Sequence, residues 1–397
     1  MKDRTTIWSR NFTILFLTNS ILFFGQSMAS TLLPKYLNSL GLTSTLIGFI
    51  VSLFSFTALG LRPVTGPLID GWNKKRLYLI MLACLVVGFF GYGMSDSVFM
   101  LGVCRLIHGL GMGCISALAL AMATDALPNE KMASGLSIYG LSSVLSQSVG
   151  PGLGVMLMER YGYRAAFFTA TALLIIAFVL GLGLEKENRT YDRIRITLSG
   201  MIYLPSLLPA ILLMLSSIAR AGLTTFLVVF ITDVRNIEGI SVYYLVNAAA
   251  LILARLIAGK IADRRGLHIA LIPSYILFAA TLILTAFCRS TLHLMILAVV
   301  NAFGYGTAFT SQQAICMKMA DAGHRGSAST TAYIGIDIGD LAGPILCGAI
   351  AQRAGYPAMF CLSVIPLILS AALLYTWMPR HRAALVPGIS ETPQDNN

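Results

Sequence analysis

Charge is what this sequence has least of. Only 11% of its 397 residues are Asp, Glu, Lys or Arg, against about 25% in a soluble domain. The mean hydropathy is +0.78, so a water-soluble globule is excluded. Also missing are the ~10-residue alternating segments of a membrane β-barrel. There is no C-x-x-C pair among the seven cysteines, which are odd in number and all lie in apolar segments. Packing cysteines are therefore expected rather than a disulfide framework. No G-x-x-x-x-G-K-[ST] segment is present to hold ATP, and no soluble domain to carry one. H-E-x-x-H and G-x-S-x-G are absent too, which argues against an intramembrane acyl transferase or protease. No cofactor and no metal site is expected. A non-transporting sensor is disfavoured by the want of a signalling domain.

What is present is length in apolar runs. Twelve recur, each able to cross a ~30 Å hydrocarbon core. They lie near 11–37, 44–69, 77–95, 98–123, 134–158, 165–184, 201–232, 242–262, 268–288, 292–316, 327–350 and 359–378. The predicted fold is an all-α polytopic membrane protein with twelve transmembrane helices. The first run has no small-residue cleavage site behind it, so it is expected to be retained. The most polar interruption, EKENRTYDRIRI, falls mid-chain. It sets an N-terminal six-helix bundle at 1–184, a cytoplasmic linker at 185–200, a C-terminal bundle at 201–379 and a disordered tail at 380–397.

The formal net charge of +11 does not indicate nucleic acid, because the basic residues are scattered through short loops without a recognition module. They report topology instead. With the N-terminus inside, 17 of the 28 Lys and Arg fall on the cytoplasmic side and six on the other. Both termini are therefore predicted to be cytoplasmic.

The chain also aligns with itself at an offset of 193 residues. Arg62, Gly66 and Asp70 fall on Arg255, Gly259 and Asp263; Gly111 and Gly113 fall on Gly304 and Gly306. Gly150-Pro151 falls on Gly343-Pro344, and Gly162 on Gly355. Parallel repeats of this kind are a transporter architecture, with a substrate site expected between the halves near the midplane.

These repeated stretches carry a family resemblance. GPLIDGWNKK (Gly66–Lys75) and GKIADRRG (Gly259–Gly266) resemble the major facilitator superfamily signature G-x-L-x-D-R-x-G-R-K. RLIHGLG (Arg105–Gly111) is similar to its fourth-helix R-x-x-Q-G-x-G. SQSVGPGLG (Ser146–Gly154) resembles the fifth-helix G-P-x-x-G element of antiporters, and YGYRAAF (Tyr161–Phe167) the G-W-R-x-x-F segment. With the twelve spans, the resemblance covers essentially the whole chain and points to the twelve-helix drug:proton antiporter branch. It implies two pseudo-symmetric six-helix bundles, alternating access, a monomer in the inner membrane, and a small-molecule substrate moved with protons across the lipid bilayer. Export by antiport is the leading reading, with proton-coupled uptake as the alternative. The chain departs from the patterns at Gly71, Asn73, His108 and Val155, and its first span has no carboxylate. Asn73 replaces a glycine and is expected to accept a left-handed turn.

The site residues follow. Gly66, Asp70, Lys74, Lys75 and Arg62, with Gly259, Asp263, Arg264 and Arg255, form the expected cytoplasmic gate. Gly150, Pro151, Gly154, Gly343 and Pro344 are expected to pack and bend helices. Asp337 and Asp340 are the only acidic residues well inside a span. A carboxylate there costs at least ~2.5–3.5 kcal/mol. At 100° per residue they share a face with Tyr333, about 130° from a Gly335, Gly339, Gly343 stripe. Proton coupling or substrate binding, a structural ion pair and an ion site all remain open for them. Arg220, Arg105 and His108 are candidate partners, and His108 is open between proton relay and core histidine. Gln26, Gln147, Asn301, Tyr333, Arg105 and Arg220 are candidate substrate contacts, with Gln312 a further polar candidate.

Overall fold

In hydrocarbon, an unpaired backbone N–H or C=O costs several kcal/mol, so an apolar chain that crosses a bilayer must satisfy its backbone internally. The computed structural model describes residues 6–128, 131–185, 202–265, 267–320 and 325–377; within these, the side chains of Asp70, 133, 134, 137, 256, 258–268, 325 and 326 lie outside the description. The described secondary structure is helical. It comprises α1 (Arg10–Ser39), α2 (Ser44–Gly71), α3 (Lys74–Met94), α4 (Val98–Asp125), α5 (Met132–Leu182), α6 (Leu207–Val229), α7 (Ile240–Arg265), α8 (Leu267–Ala286), α9 (Thr291–Asn301), α10 (Thr307–Lys318), α11 (Arg325–Leu362) and α12 (Ile365–Trp377). A π-helical turn, Phe230–Val234, continues α6, and another, Ala302–Gly306, joins α9 to α10.

Among the described residues, nine helical runs are long and apolar enough to span a membrane, with Ile240–Arg255 as a shorter apolar helix. Two of the runs, Ile138–Leu182 and Ser327–Trp377, are about twice the length that one crossing needs. Each is broken by a left-handed glycine, Gly162 (φ 83°) or Gly355 (φ 81°). Counting each of those as two accounts for the twelve predicted spans. The backbone stays helical through Pro151 and Pro344, and the departures inside α5 and α11 are at these glycines. Only glycine adopts such φ values without a Cβ penalty.

Caps settle several ends. The Ser9, Thr43 and Ser290 hydroxyls accept from the N–H groups of Phe12, Leu46 and His293. Asn73 corrects an expectation. Its backbone is extended (φ −62°, ψ 109°), and its side chain caps α3 by accepting from Arg76 N–H at 2.9 Å. The asparagine is kept there as a helix start, the role in which its short acceptor is most useful.

The helices gather into two compact units. The first holds residues 1–198 and 224–245, the second 199–223 and 246–397. In the first, α1 packs chiefly on α5, α4 lies against α2 and α3, and α3 also meets α5. In the second, α8 packs on α9, α10, α11 and the Ala302–Gly306 turn. The sequence repeat reappears as repeated close approaches. A Cβ on Gly111 would strike Leu85, and one on Gly304 would strike Phe278, 193 positions further on. Gly113 faces Ala58 as Gly306 faces Leu251, again at the same offset.

The left-handed turn at Gly162 leads into Arg164, whose Nη2 donates to Asp96 Oδ2 at 2.8 Å beyond α3. The Tyr36 hydroxyl donates to the same carboxylate at 2.5 Å and, with Arg164, holds Asp96 below the usual carboxylate range. Gly304→Ala is expected to cost about 1–3 kcal/mol by overpacking, because the Phe278 backbone N lies 2.6 Å from the new Cβ. Gly60→Ala, with nothing among the described residues within 4 Å, should leave the melting temperature unchanged or raise it. Thermal unfolding in detergent compares the two.

Candidate functional site

Between lipid-facing helices there is no hydrophobic driving force, so close association relies on small residues and backbone-to-backbone contact. The glycine stripe of α11 does this against α6. A Cβ on Gly335 would fall on the Ala210 carbonyl, one on Gly339 would lie 2.5 Å from Met214 O, and one on Gly343 would lie 3.1 Å from Ile218 Cα. With three successive turns held at that spacing, the next face of α11 comes alongside Arg220. Arg220 Nη2 donates to Asp340 Oδ1 at 2.8 Å and Oδ2 at 3.0 Å. The pair is partly buried, with side chains 24% and 31% exposed. The guanidinium carbon also sits 5.2 Å from the centre of the Tyr305 ring, within cation–π range.

Tyr305 lies in the Ala302–Gly306 π-helical turn, an irregularity that often marks functional positions. Arg255, expected at the gate, lies within electrostatic reach of Tyr305, and its Nε is buried without a hydrogen-bond partner among the described residues. Asp337, one turn before Asp340, is the more buried carboxylate at 8% exposure. The two aspartates thus share a helix face and differ in burial. Tyr333 on the same face is 43% exposed.

In the first unit, α4 presents Arg105 and His108, three residues apart and both buried. The Arg105 guanidinium lies 5.3 Å from the Phe54 ring centre. His108 is edge-on to Phe54 and Phe89, and its Nδ1 lies 3.1 Å from the Tyr92 hydroxyl. Gln26 and Asn301 are half-buried, each with a side-chain oxygen unpartnered among the described residues, whereas Gln147 is exposed. Gln312 proves to be a core residue. Its amide donates to Ser216 Oγ at 2.8 Å and to the Tyr275 hydroxyl oxygen at 2.5 Å in a fully buried network.

Of the expected gate, the side chains of Asp70, Gly259, Asp263 and Arg264 lie outside the described residues. Lys74 and Lys75 are engaged within their own unit. Lys74 Nζ donates to Asp125 at 2.6 Å, and Lys75 Nζ caps the end of α5 through Leu182 O and Leu184 O. Arg62 is half-buried on α2. Among the described residues, a Cβ on Gly66 would meet nothing within 4 Å. Gly150 and Gly154 pack on α1, against Ser27 and Met28 respectively. Pro151 and Pro344 are buried beside these glycine contacts.

Sequence reasoning misses Tyr92 and Tyr305, and it misses a tie at one end of α1. Lys35 Nζ donates to Thr232 Oγ1 at 2.7 Å and lies 3.5 Å from Asp233, which also accepts from Asn38 at 2.9 Å. Lys35 reads from sequence only as a topology charge, and nothing local links it to a residue 198 positions away.

Asp340→Asn would leave Arg220 without its carboxylate, an expected loss of about 1.5–3 kcal/mol for a charge-assisted hydrogen bond. The double variant Arg220→Gln/Asp340→Asn should be less destabilised than the sum of the two single variants. A double-mutant cycle of thermal unfolding measures the coupling.

Two stretches, residues 15–272 and 209–394, match the family model described as Major Facilitator Superfamily. "Multidrug resistance protein MdtG" of Salmonella typhimurium is 25% identical over 399 residues, covering 95% of this chain and 97% of its own. The solved nucleoside transporter NupG, in a single-residue mutant form, superposes with a TM-score of 0.76 at 16% identity, over 93% of this chain and 99% of its own. A bacterial homologue of the human lysosomal transporter Spinster, inward-facing and unoccupied, gives 0.77 at 14% identity over 97% and 100%. With both sequence repeats matched by the family, this chain belongs to the Major Facilitator Superfamily and is a multi-pass membrane transporter, not an enzyme.

Proposed function

We propose that this transporter exports a small organic molecule in exchange for protons, by alternating access. The observation that carries the reading is the pair of carboxylates on α11. Asp340 is paired with Arg220, and Asp337, one turn away, is the more buried of the two at 8% exposure. Two carboxylates on one helix face that differ in burial can divide their roles, one held in an ion pair and one exchanging a proton. Asp337 is therefore assigned the coupling proton, and Arg220–Asp340 the fixed charge that orients it. Relatives named multidrug resistance proteins favour export over uptake.

The protein is assigned to the inner membrane as a functional monomer in the lipid bilayer, with both termini cytoplasmic, a bundle at 1–184 and another at 201–379, the linker 185–200 and the tail 380–397. The excess of Lys and Arg in the predicted cytoplasmic segments supports that orientation. Asp70 and Asp263, at equivalent positions of the repeat, are assigned to a cytoplasmic gate on the strength of the repeated signature.

Asn has the size and hydrogen-bonding capacity of a protonated Asp but cannot titrate. In liposomes, Asp337→Asn is expected to keep substrate exchange down a gradient and to lose concentration of substrate when a pH difference is imposed. Full proton-driven accumulation by this variant would assign the proton elsewhere.

A further inference from the structure

The unfilled donors of Arg105 point to a charge on the substrate. Arginine only donates. The Tyr92 hydroxyl and His108 Nδ1 lie 3.1 Å apart and share one hydrogen bond. In the neutral tautomer whose Nδ1 accepts the Tyr92 hydrogen, Nε2 carries the ring hydrogen and is a donor. Two donors of this cluster, Arg105 Nε and Nη1, and the ring nitrogen His108 Nε2 are buried without a partner among the described residues.

Arg105 is 2% exposed and His108 fully buried, between the Phe54 and Phe89 rings. The unit's described aspartate side chains, Asp96, Asp125 and Asp233, are matched to Arg164, Lys74 and Lys35. Glu159, Glu185 and Glu238 are exposed. A buried charged donor left unpaired is among the most costly arrangements a protein can hold. Both unfilled arginine positions require an acceptor, and the local charge is positive.

We propose that Arg105 and His108 anchor a negatively charged group of the transported substrate, a carboxylate, phosphonate or sulfonate, so that the cargo is a small organic anion. Phe54 and Phe89 would hold the apolar body of the molecule beside the anchored group. This rests on the transporter reading above and adds the substrate class to it. The donors are closed off in this structure, in keeping with a site exposed only in part of a transport cycle.

The test is ligand-dependent thermal stabilisation of the purified full-length protein. The probes are naphthalene-2-carboxylate and naphthalene-2-phosphonate, with naphthalene-2-carboxamide and 2-naphthyltrimethylammonium as neutral and cationic controls, and inorganic phosphate and chloride as free anions. The anionic naphthalenes should raise the melting temperature and the controls should not. Arg105→Gln should weaken the anion midpoint by about 10- to 100-fold, the scale of a lost charge-assisted hydrogen bond. If Arg105→Gln does not fold, Arg105→Lys decides. Weaker but still anion-selective binding supports the anchor, and unchanged affinity or a preference for the ammonium probe overturns it. Equal shifts from the amide or ammonium probes, or no shift from either anion, overturn the proposal. Equal stabilisation by inorganic phosphate or chloride overturns its assignment to substrate. Transport is measured separately in liposomes under a pH gradient. Anion binding without proton-driven accumulation would remove the antiport reading and leave the anion site, and proton-driven accumulation of the ammonium probe would do the reverse.

Discussion

The charged cluster of the second unit depends on one contact, the glycine stripe of α11 against the backbone of α6. A side chain at Gly335, Gly339 or Gly343 would strike Ala210, Met214 or Ile218, so no larger residue keeps the helices at this distance. At that distance Arg220 reaches both oxygens of Asp340 through one nitrogen. Moving the helices apart would turn this ion pair into two isolated charges in an apolar surrounding, each costly alone. The packing rule of the membrane and the chemistry of the site are thus the same constraint seen at two scales. The first unit uses the equivalent contact, Gly150 and Gly154 on α1.

From that constraint follows an asymmetry between charges. Arg220 is neutralised by Asp340 and backed by the Tyr305 ring. Arg105 is deeper, at 2% exposure, and leaves two nitrogens unfilled among the described residues. A structural arginine resembles the first. The second resembles a binding group whose partner comes and goes, since a permanent orphan charge would be selected against on stability alone. Transport needs both kinds: a charge that fixes geometry and a charge or proton site whose occupancy changes through the cycle.

Much of the fold is legible in the sequence because membrane helices write themselves as long apolar runs and because the repeat keeps one register. Gly111 with Leu85 and Gly304 with Phe278 show why the register persists. Each repeat preserves the same close contact, and a shift by one residue would break it. Gly162 and Gly355 keep their identity for the left-handed turn that lets one helical run supply two spans. Asp340 with Arg220 is among the candidate pairings, since few charges lie inside spans at all. Side-chain pairing elsewhere is not legible. Asn73 can be placed in a turn but not distinguished as a cap. Gln312 reads as a polar contact until Tyr275 and Ser216 close around it. Lys74 reads as a gate charge, yet it reaches Asp125, 51 residues on. Such partners are set by tertiary packing, to which periodicity is blind.

The division of labour between the two α11 carboxylates is tested most directly by infrared difference spectroscopy of the purified protein during a pH step. A carboxyl stretching band that appears and disappears with pH reports the group exchanging a proton. This band should be present in the wild type, survive in Asp340→Asn, and vanish in Asp337→Asn. A titrating band that persists in Asp337→Asn and is lost in Asp340→Asn would contradict the assignment of the proton to Asp337.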